Sequence, residues 1–166
     1  MDKFKNLIVL GPLIYAIHHF EEHTIFNFIQ WKLQYFQHSA AALSTEAILA
    51  ILTCILVSFA LLHLVKNDRA SAHVILFMLF AIQVINAFYH IFFSFYFSDF
   101  SPGAITAALL YLPVNFVIAQ AAFREGYLKS YFEYGCIAFL GTTTFVLFEI
   151  IGPLIIGLAI IFSLMY

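Results

Sequence analysis

Charge is the scarcest ingredient of this sequence. Of 166 residues, 7 are Lys or Arg and 9 are Asp or Glu, so charged residues make up 10% of the chain. A soluble domain carries roughly a quarter. The shortage excludes an ordinary water-covered surface, and a formal net charge of −2 gives no basic face for nucleic acid. Cysteine is nearly absent as well. Cys54 and Cys136 both fall within apolar segments, which argues against a disulfide framework or a thiolate metal site and leaves two small hydrophobes. Internal repeats, low-complexity tracts and the inverted repeat of many transporters do not stand out. A cleavable leader is not expected: Lys3 and Lys5 precede an apolar run, but His18, Glu21 and Glu22 stand where small cleavage-site residues belong.

What fills the chain instead is apolar. Hydrophobic residues make up 64% of the sequence and the mean hydropathy is +0.99. One small core cannot hide that excess, so part of the solvent must be lipid. About 20 apolar residues are needed for a helix to cross ~30 Å of hydrocarbon. Five stretches reach that length, at about 4–23, 44–64, 73–97, 104–123 and 134–162. The expected fold is therefore all-α: one domain, 1–166, forming a polytopic transmembrane bundle of five spans. Gly152-Pro153 interrupts the last stretch, yet no polar residues flank it to make a turn, so one long kinked span is expected rather than two arms.

The few basic residues support this topology. Lys3, Lys5, Lys66, Arg69, Arg124 and Lys129 fall on one side of a five-span chain and only Lys32 on the other. The bias places the N-terminus in the cytoplasm and the C-terminus outside. Between the first two spans, at about 25–37, Ile25, Phe28, Ile29, Leu33 and Phe36 recur at helical spacing against Asn27, Gln30, Gln34, Gln37 and His38. With Trp31 and Tyr35 beside them, they make an amphipathic helix at the outer interface, read as a lid, a lipid-contacting collar or an ordinary connector.

Ionisable side chains inside a span cost a few kcal/mol each on insertion scales, so their presence needs a reason. They are densest in His18-His19-Phe20-Glu21-Glu22-His23, where His18 shares a helical face with Glu21 and Glu22, and His19 with Glu22 and His23. Asn86 and His90 lie four apart, Glu46 opens the second span, and Glu149 precedes Pro153 by four residues, leaving its backbone carbonyl without that donor. At 1.5 Å per residue these groups reach similar heights: roughly 18–25 Å for His18 to Glu22, about 20 Å for Asn86, 25 Å for His90, 22 Å for Glu149 and 27 Å for Glu46. Four spans thus bring polar groups to the outer third, with Thr106 alone at that level on the fourth.

Imidazole with carboxylate is the ligand set of zinc and of non-haem iron or manganese. A divalent cation is therefore expected, zinc first, with His18, Glu22 and His90 as ligands and Asn86 orienting them. Glu21, Glu46 and Glu149 are further ligands or the general base, with Glu46 assigned among the ligands and Glu21 and Glu149 to proton transfer. The spacing leaves open whether Glu21 or Glu22 is the ligand. Several of these groups have plainer readings. Glu46 follows Ser44-Thr45 as a first-turn carboxylate would. Glu21 and His23 can face interfacial water, and His19 can bond a neighbouring helix. His38, His63 and His73 sit at span ends or in the interface, where structural roles are expected.

At these residues the sequence resembles the HXXEE family of small multi-spanning bacterial membrane proteins. His18-His19-Phe20-Glu21-Glu22 matches its signature, Asn86-Ala-Phe-Tyr-His90 its Asn-x-x-x-His element, and Ser101-Pro102-Gly103-Ala104-Ile105-Thr106-Ala107 its Pro-Gly turn into a span. The resemblance implies a bacterial cytoplasmic-membrane protein and points to the same residues, without supplying a reaction or substrate. The function expected from the residues is a metal-dependent hydrolase acting on a lipid or lipid-like substrate. The alternatives are a proton- or cation-coupled transporter and an accessory protein whose polar cluster fixes packing.

Overall fold

The computed structural model describes the backbone of residues 3–36 and 44–165, and the side chains of residues 3–36 and 44–149. Among these residues every regular element is helical. A first rod, α1, runs over 3–25 in three consecutive pieces: Lys3–Ile8, Leu10–Phe20 and a π-helical turn, Glu21–Ile25. Its break at Val9 has a local cause. Pro12 lacks the N–H that would bond the Ile8 carbonyl, while Val9 keeps helical angles (φ −65°, ψ −22°), so the rod is interrupted without turning away.

The π turn closes with Phe26 N–H donating to Glu21 O at 3.0 Å, and extended backbone at Phe26 then breaks the helix. Asn27 starts α2, Phe28–Phe36, by accepting from Gln30 N–H at 3.0 Å. This is the connecting helix expected at about 25–37. Ile25 instead belongs to α1, and Gln37 and His38 lie outside the described residues.

The helix α3 (Thr45–Lys66) is capped by Ser44, whose hydroxyl accepts from Ala47 N–H, and ends at Asn67 in the left-handed region. Asp68 follows at once as the cap of α4 (Arg69–Tyr96), accepting from Ser71 N–H at 2.8 Å. That bond, with the Ser71 hydroxyl, holds the Asp68 carboxyl below its ordinary range. Next come α5 (Ala104–Arg124) and α6 (Tyr131–Met165). The last is one continuous helix through Gly152-Pro153, not a hairpin. Both α4 and α5 contain π turns, Phe80–Val84 and Ala107–Tyr111. The second lies just before Pro113, whose missing N–H favours such a local widening.

The helices Thr45–Lys66, Arg69–Tyr96, Ala104–Arg124 and the Tyr131–Glu149 part of α6 are each long and apolar enough to cross a membrane. Their outward residues are those of a lipid-facing protein: Val65, Phe95 and Phe132 are about four-fifths exposed. The core runs along α1, α3, α4 and α5 through Phe4, Ile8, Leu56, Ile75, Leu79 and Ile118. α4 is central, and α6 is peripheral. Gly141 allows α6 to approach the α4 π turn, since a Cβ there would lie 2.9 Å from Phe80 Cδ1 and 3.2 Å from Ala81 N.

Polar contacts sort the two ends. At one, Phe4 N–H donates to Glu125 Oε1, Arg69 pairs with Glu133 at 2.8 Å, and the Tyr127 hydroxyl donates to Asn67. The start of α1 and the α3–α4 and α5–α6 turns therefore share an end. At the other, α2 folds over the α4–α5 connection: Tyr35 stacks on Phe97 at 4.1 Å and donates its hydroxyl proton to Asp99.

Candidate metal centre

The His/Glu segment of α1, the C-terminal half of α4 and the start of α5 meet beneath α2. His18 and His90 are fully buried and Glu22 nearly so. Glu22 Oε1 lies 2.9 Å from His90 Nε2 and 3.5 Å from His18 Nε2. An ion with ~2.0–2.1 Å bonds in tetrahedral geometry spaces its ligand atoms about 3.3 Å apart, so the three atoms fit one cation.

The far nitrogens of both imidazoles are held. His90 Nδ1 sits 2.9 Å from Ser101 Oγ, and His18 Nδ1 sits 2.7 Å from Thr106 Oγ1. Asn86 Nδ2 donates to His18 Nε2 at 3.0 Å, which makes Nε2 an acceptor and puts the ring proton on Nδ1, facing Thr106. A cation taking His18 Nε2 must displace Asn86, at a cost of about 1 kcal/mol for one hydrogen bond. Zinc ligation supplies an order of magnitude more. His90 Nε2 is the informative atom. It is buried and lies 2.9 Å from the Glu22 carboxylate, off the line of a well-aligned hydrogen bond. If its ring proton also sits on Nδ1, facing Ser101, two acceptors face each other there, an arrangement that a shared cation resolves.

The Pro-Gly connection forms the lid on this triad. Gly103 adopts φ +98°, and a Cβ on it would lie 2.8 Å from His18 Cε1, 3.0 Å from Glu22 Cγ and 3.0 Å from His90 Cε1. Ser94 secures the same loop by donating to His90 O and accepting from Ser101 N–H. From below, Tyr111 packs against His18 with ring centroids 4.3 Å apart. From above, Phe28 of α2 lies 5.1 Å from His90.

Other expected site residues are placed differently. Both Glu21 oxygens accept backbone N–H bonds, from Ile105 at 3.1 Å and Thr106 at 2.7 Å. Glu21 thus anchors the N-terminus of α5, where a carboxylate is favoured, and is not free to act as a base. Glu46 is exposed at the start of α3 and joins neither cluster of metal-compatible groups, as its plainer first-turn reading anticipates. Glu149 pairs with Lys32 of α2 at 2.7 Å, which ties α6 to α2 rather than supplying the centre. His63 bonds Ser71, and His73 faces the Tyr127 carbonyl, both at the opposite end.

Sequence reasoning did not single out Ser101, Gly103 or Tyr111, and Thr106 entered only by its height. The Pro-Gly turn was the sole signal for Ser101 and Gly103. A second group also emerges: His19, Glu22 and His23 offer ligand atoms within 4.8 Å of one another.

Residues 9–118, well over half of the chain, match the profile of a family described as "Protein of unknown function with HXXEE motif". No curated protein and no solved structure matches. The chain therefore belongs to the HXXEE family, with His18, Glu21 and Glu22 as the lettered residues of its motif.

Proposed function

We propose that the chain is a metal-dependent membrane hydrolase whose cation is held by His18, Glu22 and His90. The observation that carries this reading is the convergence of two imidazole Nε2 atoms on one carboxylate oxygen, with the far nitrogens fixed by Thr106 and Ser101. Such outer partners are what metal-binding histidines use to set ring orientation. Two histidines and one glutamate leave coordination positions open, as catalytic zinc sites do, and the same set serves non-haem iron. A bound divalent ion would supply a water ionised near neutral pH. Glu21 acts here by positioning Thr106, and hence His18, rather than by proton transfer.

A lipid-like substrate fits the surroundings. An open apolar groove of about 570 Å³ lies between α4 and α6, lined by Phe88, Tyr89, Phe92, Phe145 and Val146 among others. Tyr89 separates it from His90, with ring centroids 5.5 Å apart. An acyl chain in the groove would bring an ester or phosphoester to the edge of the centre. The topology belongs to the same proposal. α1 spans about 34 Å at 1.5 Å per residue, long enough for a fifth crossing, and it runs between the two ends described above. With α2 as the interfacial helix, the chain sits in the bacterial cytoplasmic membrane with its N-terminus inside, its C-terminus outside and the centre in the outer third.

The transporter reading has one feature in its favour. Asn115 donates to Gln83, and Gln83 donates to the Gly11 carbonyl, one turn below Tyr111. This chain of amides stops among fully buried Ile8, Leu79 and Ile118, and amides do not pass protons. Hydrolysis is therefore the better reading.

The test is metal content. Protein purified in detergent without a polyhistidine tag should carry bound divalent metal. His18→Ala, Glu22→Ala and His90→Ala should lose it while keeping helical circular dichroism. Absence of metal after incubation with zinc, iron(II) and manganese(II) salts in turn, each followed by desalting, would overturn the reading. Metal-dependent cleavage of ester or phosphoester lipids in mixed micelles, abolished by chelator, would establish the reaction. Cation uptake by proteoliposomes would establish the alternative.

A further inference from the structure

Within α1, Glu22 faces two pairs of imidazoles rather than one. Its Oε1 is directed at His18 and His90, whereas its Oε2 lies 3.7 Å from His23 Nε2. His19 and His23 stand four residues apart with ring centroids 4.4 Å apart. That spacing is the one by which two histidines on a single helix chelate zinc in metalloproteases. Neither residue is a lettered position of the HXXEE motif, so the motif leaves this pair unexplained.

From these contacts we propose that the centre is dinuclear, with Glu22 as a bridging carboxylate: His18 and His90 hold an inner cation, and His19 and His23 an outer one. The inference rests on the metal-binding reading of the first triad and extends it. The two positions differ in setting. The inner pair is fully buried and braced by hydroxyls, while the His23 side chain is 18% exposed and admits water as a further ligand. The outer position thus has water to complete its coordination. The π turn matters because Glu21–Ile25 widens the helix where Glu22 and His23 project, and such bulges recur at functional sites.

Stoichiometry and magnetic coupling test the proposal. Tag-free protein in detergent is loaded with manganese(II), desalted, and measured by elemental analysis and electron paramagnetic resonance. The expected result is two ions per chain with a spin-coupled signal. His19→Gln/His23→Gln should retain one ion per chain with an uncoupled six-line spectrum, and Glu22→Gln should retain none. One ion per wild-type chain would overturn the dinuclear inference while leaving the proposed function standing. No ion would overturn both. Unchanged stoichiometry in the double variant, in protein with wild-type thermal melting, would also reject His19 and His23 as ligands.

Discussion

At the scale of single residues, the centre depends on a side chain that is missing. Gly103 touches all three members of the inner triad, and any Cβ there would meet atoms of His18, Glu22 and His90 at 3.0 Å or less. Two penalties coincide in Gly103→Ala: the left-handed backbone costs about 1–2 kcal/mol for an L-residue, and the methyl pushes the imidazoles apart. The expected outcome is a lower melting temperature together with metal affinity weakened about 10–100-fold, the range for disturbed outer-shell support. Titration of apo-protein with a competing zinc chelator measures it. A melting shift with unchanged affinity would show that Gly103 serves the turn alone. Serine at 101 and threonine at 106 are the conservative counterparts, since each holds one imidazole through a single hydroxyl.

At the scale of elements, α2 is the piece most open to experiment. Its Trp31, buried against Phe97 and Phe28, is the only tryptophan in the chain, so intrinsic fluorescence reports this helix alone. The helix is fastened by Lys32 to Glu149 and by Tyr35 to Asp99. Because Asp99 accepts its proton, the Tyr35 hydroxyl titrates above its ordinary range, and this tie persists into alkaline solution. Removing both with Lys32→Ala/Tyr35→Phe should red-shift Trp31 emission and increase its quenching by iodide. The ion pair alone is partly exposed and contributes at most about 1 kcal/mol, so Lys32→Ala by itself should change little. Unaltered emission in the double variant would mean that aromatic stacking holds the helix.

This helix also marks what the sequence could and could not reveal. Asn86 and His90, four apart on a helix, and the His18–Glu22 pair were legible because a charged group in an apolar run is costly and helical spacing fixes which groups share a face. Glu46 and Glu149 were misjudged by the same arithmetic. Counting residues gives the height of a side chain in the bundle but not its direction around the helix axis. Glu149 is on the outlying helix, turned to Lys32, and Glu46 points to solvent. Ser101 and Gly103 lie in a connection with no periodicity, where chain path rather than pattern brings them to the centre.

At the scale of the whole molecule, the distribution of charge becomes a geometric fact. The α1 start, the α3–α4 turn and the α5–α6 turn share one end through the Phe4–Glu125, Tyr127–Asn67 and Arg69–Glu133 contacts. The basic residues Lys3, Lys5, Lys66, Arg69, Arg124 and Lys129 collect there or beside it, on the side the positive-inside rule assigns to the cytoplasm. Reporter fusions give the check. A periplasm-active phosphatase joined after Lys66 or Lys129 should be silent, and one joined after residue 166 or inserted at 38–42 should be active. An active fusion after Lys66 would invert the orientation.

Three wide turns, Glu21–Ile25, Phe80–Val84 and Ala107–Tyr111, interrupt three different helices, the first and third beside the polar centre and the second below it. Each gives its helix one residue more than an α-helical path of the same rise would hold. The position of His90 relative to the apolar half of α4 is therefore recorded in the length of the chain between them, not only in the identity of the residues. Exchanging Ala81 or Ile82 for another small or branched residue leaves that count intact. Deleting either would return the turn to α-helical geometry with the same rise, so Asn86 and His90 should keep their place, whereas deleting a residue from the α-helical stretch Arg69–Leu79 would turn them by about 100° around the axis unless the π turn absorbed the loss. For this protein, where a residue is missing along α4 matters more than which small residue stands there.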